Sequence, residues 1–150
     1  MVMTSLKRLI GLPVILDGRT VGHVLRGVLT TDGQQLRGLV IRGGLRGARW
    51  LPAARITLLG RVSVIGEGST DKLPRDTAFR LFRVSDADGT RLGVVSDAML
   101  HEDTLRVLAL EISAGPVDDL ISGRFFATAF AVRPADGGET GHVTIPGEVT

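Results

Sequence analysis

The chain has no cysteine, one tryptophan and three histidines in 150 residues. Without cysteine it can form neither a disulfide framework nor a thiolate metal site, which suits a reducing compartment. No stretch approaches the ~20 consecutive apolar residues that a membrane-spanning helix needs. The opening residues carry Lys7 and Arg8, then a short apolar stretch that stops at Asp17. With neither a long apolar region nor a small-residue cleavage site, no signal peptide is expected, and the cytoplasm is the expected compartment. Nucleophilic catalysis lacks its usual carriers. There is no G-x-S-x-G elbow, and the serines lie in turns or beside acids with no histidine close in sequence. The glycine-rich run from Arg42 to Gly47 lacks the lysine and hydroxyl residue of a phosphate loop.

The remaining polar candidates have plain structural readings. His101-Glu102-Asp103 sets three metal-ligating side chains in a row. Adjacent residues point apart, however, and no second histidine follows at helical spacing, so a polar turn is expected and no metal. His23 lies in a strand and His142 opens one; both read as packing or surface residues. Asp118-Asp119 follow Pro116 in a short helix expected over 116–121, where acids favour the positive end of the helix dipole. No catalytic residue and no cofactor are expected, and the protein is read as a non-enzyme.

What is present is a repeat. Asp17-Gly18-Arg19-Thr20-Val21-Gly22 returns as Asp88-Gly89-Thr90-Arg91-Leu92-Gly93, 71 positions on. The same offset pairs Leu29 with Leu100, Asp32 with Asp103, Leu39 with Leu110 and Ile41 with Ile112. Solenoid repeats run about 20–50 residues, so this is one small domain copied once. Each copy alone would bury a marginal core and would gain from packing on its twin. An apolar share of 43% fits a folded chain.

Strands are expected at 13–16, 21–29, 36–41, 48–52, 56–59 and 62–65, with one helical turn at 53–55. The second copy repeats them at 81–84, 92–100, 105–113, 124–128 and 142–145, with a loop at 136–139. Short strands, frequent turns and glycines inside the long strands predict an all-β fold of two small, strongly bent barrels in tandem, related by a pseudo-two-fold. The expected organisation is a first repeat over 5–66, a linker over 67–76 rich in Gly, Ser, Thr, Asp and Pro, and a second repeat over 77–147.

The copies differ in charge. Residues 1–70 carry ten Lys/Arg against three acids, a net +7, and residues 71–150 carry eight against thirteen, a net −5. This is either drift on a solvated surface or a bipolar molecule that offers its basic half to an acidic partner or to the acidic half of a second copy. Within the basic half, Arg42, Arg46, Arg49 and Trp50 form the candidate partner-binding group. Three arginines on a glycine-rich loop can grip phosphates or acidic side chains, and Trp50 can stack on a base or anchor an interface. Trp50 aligns with Phe125 at an offset of 75, which favours a buried structural ring for it.

The D-G-x-x-[VL]-G turn and strand, the Leu36–Ile41 type of apolar strand and the Arg49-Trp50-Leu51-Pro52-Ala53-Ala54-Arg55-Ile56 segment together resemble the PRC-barrel. That domain is named for the H subunit of photosynthetic reaction centres, and it also forms the C-terminal part of a bacterial ribosome-maturation factor. The resemblance covers both halves and departs at 130–139, where the last connection is lengthened. It implies a bent β-barrel of a stand-alone bacterial tandem type, an adaptor role, and no catalytic residues. The expected partner is therefore a protein. RNA or the ribosome comes second, docking on membrane proteins third, and DNA is not expected.

Overall fold

The Asp17-Gly18 pair turns the chain with φ of +51° and +80°, the left-handed pair that a two-residue hairpin requires. It joins β2 (Pro13–Leu16) to the long β3 (Arg19–Leu29), and β4 (Leu36–Arg42), β5 (Ala48–Pro52), β6 (Ile56–Leu59) and β7 (Val64–Gly66) complete the first half. Ahead of them stand β1 (Met3–Ser5) and the single-turn helix α1 (Leu6–Leu9). The second half comprises β8 (Arg80–Ser85), β9 (Arg91–His101), β10 (Val107–Ser113), β11 (Phe125–Ala127), β12 (Ala131–Pro134) and β13 (Thr140–Thr144). This is a computed structural model that describes residues 2–75, 77, 80–115, 123–134 and 140–146.

The two halves have one strand order. The first sheet runs β5-β4-β3-β2-β7-β6 and the second β11-β10-β9-β8-β13-β12. All neighbours are antiparallel except β2 with β7 and β8 with β13, which are parallel in both copies. The register agrees as well. Val24 opposite Ile41, Arg26 opposite Val40 and Leu29 opposite Leu36 match Val95 opposite Ile112, Asp97 opposite Glu111 and Leu100 opposite Val107. Gly22 and Gly93 occupy equivalent bends. A Cβ would lie 2.2 Å from the Arg42 carbonyl oxygen at the first and 2.2 Å from that of Ser113 at the second. The result is two curled half-barrels in a nearly all-β molecule, as the sequence predicts.

One hydrophobic cluster of the described residues is shared between them. Leu39, Ile41 and Leu51 from the first sheet and Leu100, Leu110 and Ile112 from the second are fully buried in one cluster. Each such side chain contributes about 1.5–3 kcal/mol of burial, so neither half is a closed unit without the other. The sheets meet backbone to backbone at the pseudo-two-fold. The Leu36 N–H donates to the Leu105 carbonyl at 2.9 Å, and the Val107 N–H donates to the Gln34 carbonyl at 2.8 Å. Those two bonds are copies of each other at the 71-residue offset.

The segments that precede each half also cross over. β1 pairs with the far end of β9, so Met3–Ser5 belong to the second sheet. The buried Asp97 accepts the Lys7 N–H at 3.2 Å. At the position equivalent to Asp97, the Arg26 guanidinium donates to the Thr77 carbonyl and hydroxyl.

Three expectations need correction. Residues 131–134, read as part of a long connection, form β12 opposite β13, because Val132 packs against the core beside Val143. The strand expected over 62–65 begins at Val64, since Gly60 donates to the Ser63 carbonyl at 3.0 Å and closes a turn there. Trp50 stands opposite Val40, while the residue opposite the equivalent Glu111 is Phe126. The counterpart of Trp50 is therefore Phe126, at an offset of 76, and not Phe125. The helix expected over 116–121 and the loop at 136–139 lie outside the described residues.

Candidate functional site

Three loops of the first half converge on a cleft of about 520 Å³. The β2–β3 turn supplies Asp17 and Arg19, the β4–β5 connection supplies Arg46 and Arg49, and the chain after β7 supplies Gly68, Ser69 and Thr70. Each position has a local cause. Arg19 is the first residue beyond the Asp17-Gly18 turn. Arg46 ends a one-turn 3-10 helix, Gly44–Arg46, in which its N–H donates to the Gly43 carbonyl at 3.3 Å, and the Gly43 N–H closes the loop around it by donating to the Gly47 carbonyl at 3.1 Å. Gly44 and Gly47 both take positive φ, which makes the connection tight enough to return as β5.

Arg49 is the fixed member. Its Nε donates to the Thr70 hydroxyl at 3.3 Å and a terminal nitrogen donates to the Thr70 carbonyl at 2.9 Å. Beside it, Asp17 accepts the Gly68 N–H at 3.2 Å and ties the hairpin to the same segment. Arg19 and Arg46 are exposed on the rim. Three guanidinium groups and one carboxylate thus share a concave surface, a net positive site that suits a carboxylate or phosphate oxygen.

The candidate residues from the sequence divide. Arg46 and Arg49 line the cleft; Arg42 is exposed at the end of β4 but is not among the lining residues. Trp50 is only 6% exposed and packs with Val28 and Val40 under the partly buried Leu73, with the Arg37 guanidinium 5.3 Å from the ring centre. It is the buried structural ring, not the stacking or anchoring residue, and it has no face to offer a base. Arg19 was missed. Its only sequence signal is its place after a hairpin turn, and the inward course of that hairpin toward 68–70 is a tertiary fact.

His101 has a structural task. Its Nδ1 accepts the N–H groups of Asp103 at 3.1 Å and Thr104 at 3.2 Å, closing the β9–β10 turn. Asp32 does this in the first half, accepting the Gln34 N–H at 3.0 Å and the Thr30 hydroxyl at 2.5 Å. Those bonds, the Thr30 hydroxyl foremost, hold the Asp32 carboxyl below its ordinary value of 3.8. No cluster of three or more His, Asp or Glu side chains placed to hold a metal occurs among the described residues. No helix of the described residues is long and apolar enough to cross a membrane.

The family model of the PRC-barrel domain matches residues 75–147, the whole of the second half as the strand order defines it. No curated protein matches the chain.

Proposed function

We propose that this chain, residues 75–147 of which form a PRC-barrel domain, is a non-enzymatic adaptor that docks on an acidic segment of a protein partner through the cleft of Arg19, Arg46 and Arg49. A PRC-barrel is a small β-barrel interaction module, and the first half, with the same strand order and register, is read as a second one. The observation that carries the reading is the convergence of three arginines on one concavity with Arg49 held in advance by Thr70. A pre-held guanidinium loses little freedom on binding a carboxylate. The cytoplasm is the proposed compartment.

The competing reading is an RNA- or ribosome-associated factor, favoured by the +7 charge of residues 1–70. Trp50 is the only aromatic residue in that half, and its burial leaves no ring there to stack on a base. The −5 half also repels a long polyanion, whereas a protein can oppose both signs.

The experiment is a salt-titrated binding assay on the full chain and an Arg19→Ala/Arg46→Ala variant, with a labelled glutamate-rich peptide and a labelled single-stranded RNA as probes. The adaptor reading expects peptide binding that the double change weakens at least tenfold, and negligible RNA affinity at roughly physiological salt. RNA binding that survives at that salt and loses about one unit of log–log salt slope per removed phosphate contact supports the RNA reading instead. Purification from the native cell, with and without nuclease, then identifies the partner.

A further inference from the structure

The two halves treat equivalent sheet edges differently. In the first, the outer edge of β5 is covered by the chain that leads out of β7. Trp50 donates its N–H to the Asp71 carbonyl at 2.8 Å, and the Asp71 N–H donates to the Trp50 carbonyl at 2.7 Å. Leu73, two residues on, packs against the cluster of Val28, Val40 and Trp50. Arg49 holds Thr70, and Arg55 donates to the Ser69 carbonyl at 2.7 Å and pairs with Asp71 at 2.8 Å. An extended segment thus sits on this edge by two backbone bonds, one apolar cover and two arginines.

In the second half the same edge is β11. Phe126 faces Glu111 across β10 as Trp50 faces Val40 across β4, so its N–H and C=O also point away from the sheet. Among the described residues no strand pairs with that edge. Phe126 is 55% exposed and Phe125 37%, against 6% for Trp50. Unpaired edge strands that carry bare aromatics are a liability that soluble proteins otherwise remove. The chemistry has changed as well. Phe125 stands where Arg49 does, residues 128–131, which replace the Arg55 turn, carry no charge, and the charges beside Phe126, Arg124 and Glu111, pair with each other at 3.0 Å.

We propose that the outer edge of β11 is a docking slot for an extended, apolar segment of a partner protein, which adds as a strand at Phe126 and packs on its ring as Leu73 packs on the Trp50 cluster. The first half supplies the template for the pose, and the loss of both arginines sets the chemistry: a segment with apolar residues where the linker has Thr70 and Asp71. A second copy pairing through β11 is the poorer occupant, because a three-residue strand falls far short of the ~1,200 Å² that a stable association needs. Strand addition by a peptide gains specificity from backbone bonds plus alternate side-chain pockets instead. The slot is independent of the arginine cleft, so the two could hold different partners.

The test uses the isotope-labelled full chain and two synthetic peptides. One copies residues 68–75; the other is the same with Thr70→Val and Asp71→Val. In the free protein the Phe126 amide should exchange with solvent at least tenfold faster than that of Trp50. The apolar peptide should shift the Phe125, Phe126 and Ala127 amides, slow Phe126 exchange at least tenfold, and bind at least fivefold tighter than the unaltered peptide. Phe126→Ser should abolish these effects while leaving the remaining amide spectrum in place. The proposal is overturned if the Phe126 amide is already protected in the free chain, if the apolar peptide shifts no β11 amide, or if the unaltered peptide binds equally well. It is also overturned if a concentration-dependent dimer disappears with Phe126→Ser, since the occupant is then a second copy.

Discussion

Replacing Trp50 and Phe126 by alanine, one at a time, compares a single strand position in two environments. A large aromatic ring buries roughly 150–250 Å², which at about 25 cal/mol per Å² amounts to about 4–6 kcal/mol of transfer energy. Trp50 is 6% exposed and so holds nearly all of that. The unfolded chain already hides some apolar surface, and alanine keeps the Cβ, so the expected loss for Trp50→Ala is about 3–5 kcal/mol. Loss of the Arg37 contact at 5.3 Å adds to it. Phe126 is 55% exposed, and by the same area argument Phe126→Ala should cost about 1–2 kcal/mol. Urea unfolding followed by far-ultraviolet circular dichroism measures both. The chain has one tryptophan, so its emission should be blue-shifted and poorly quenched by acrylamide in the native state. Equal costs at the two positions, or a freely quenched Trp50, would refute the burial argument and the contrast between the edges.

Gly93 takes φ of +150° with the Ser113 oxygen 2.2 Å from where a Cβ would sit; Gly93→Ala should therefore lower stability by about 3 kcal/mol or more, and a neutral effect in urea unfolding would contradict the bend. Asp97 accepts the N–H groups of Lys7 and Ala98, so Asp97→Ala should cost about 1–3 kcal/mol and speed proteolysis within the first ten residues, whereas unchanged protection there argues against the crossover. The depressed carboxyl of Asp32 contributes stability that is present above its ordinary value of 3.8 and lost as pH falls below it. Asp32→Asn should remove that part of the acid dependence and leave stability above about pH 5 insensitive to pH at this site, as urea midpoints measured across the range will show.

The all-β fold and its duplication were legible because both are local. Turn glycines, alternating apolar positions and the 71-residue offset recur in the sequence, and they correspond to the shared strand order and register. The strand at 131–134 was not legible. A four-residue strand next to a loop gains its identity only from the partner strand, here β13. Nor was β1, whose three residues pair 94 to 98 positions away, with Met99, Leu100 and His101.

For the sites the division follows the same line. Charge is a property of composition, so the basic character of residues 1–70 and the arginines of the 42–49 loop were visible at once. Which of them share a cleft depends on the approach of residues 68–70 to the hairpin turn, and that exchanged Arg42 for Arg19. Trp50 and Phe126 are both aromatic residues at equivalent places in short strands, and periodicity alone does not separate them. Their different exposure comes from whether a distant segment lies along the strand edge, as Asp71 and Leu73 do on one and no described residue does on the other. Periodicity tells which face of a strand is apolar; only the packed chain decides whether that face and its backbone edge are already occupied.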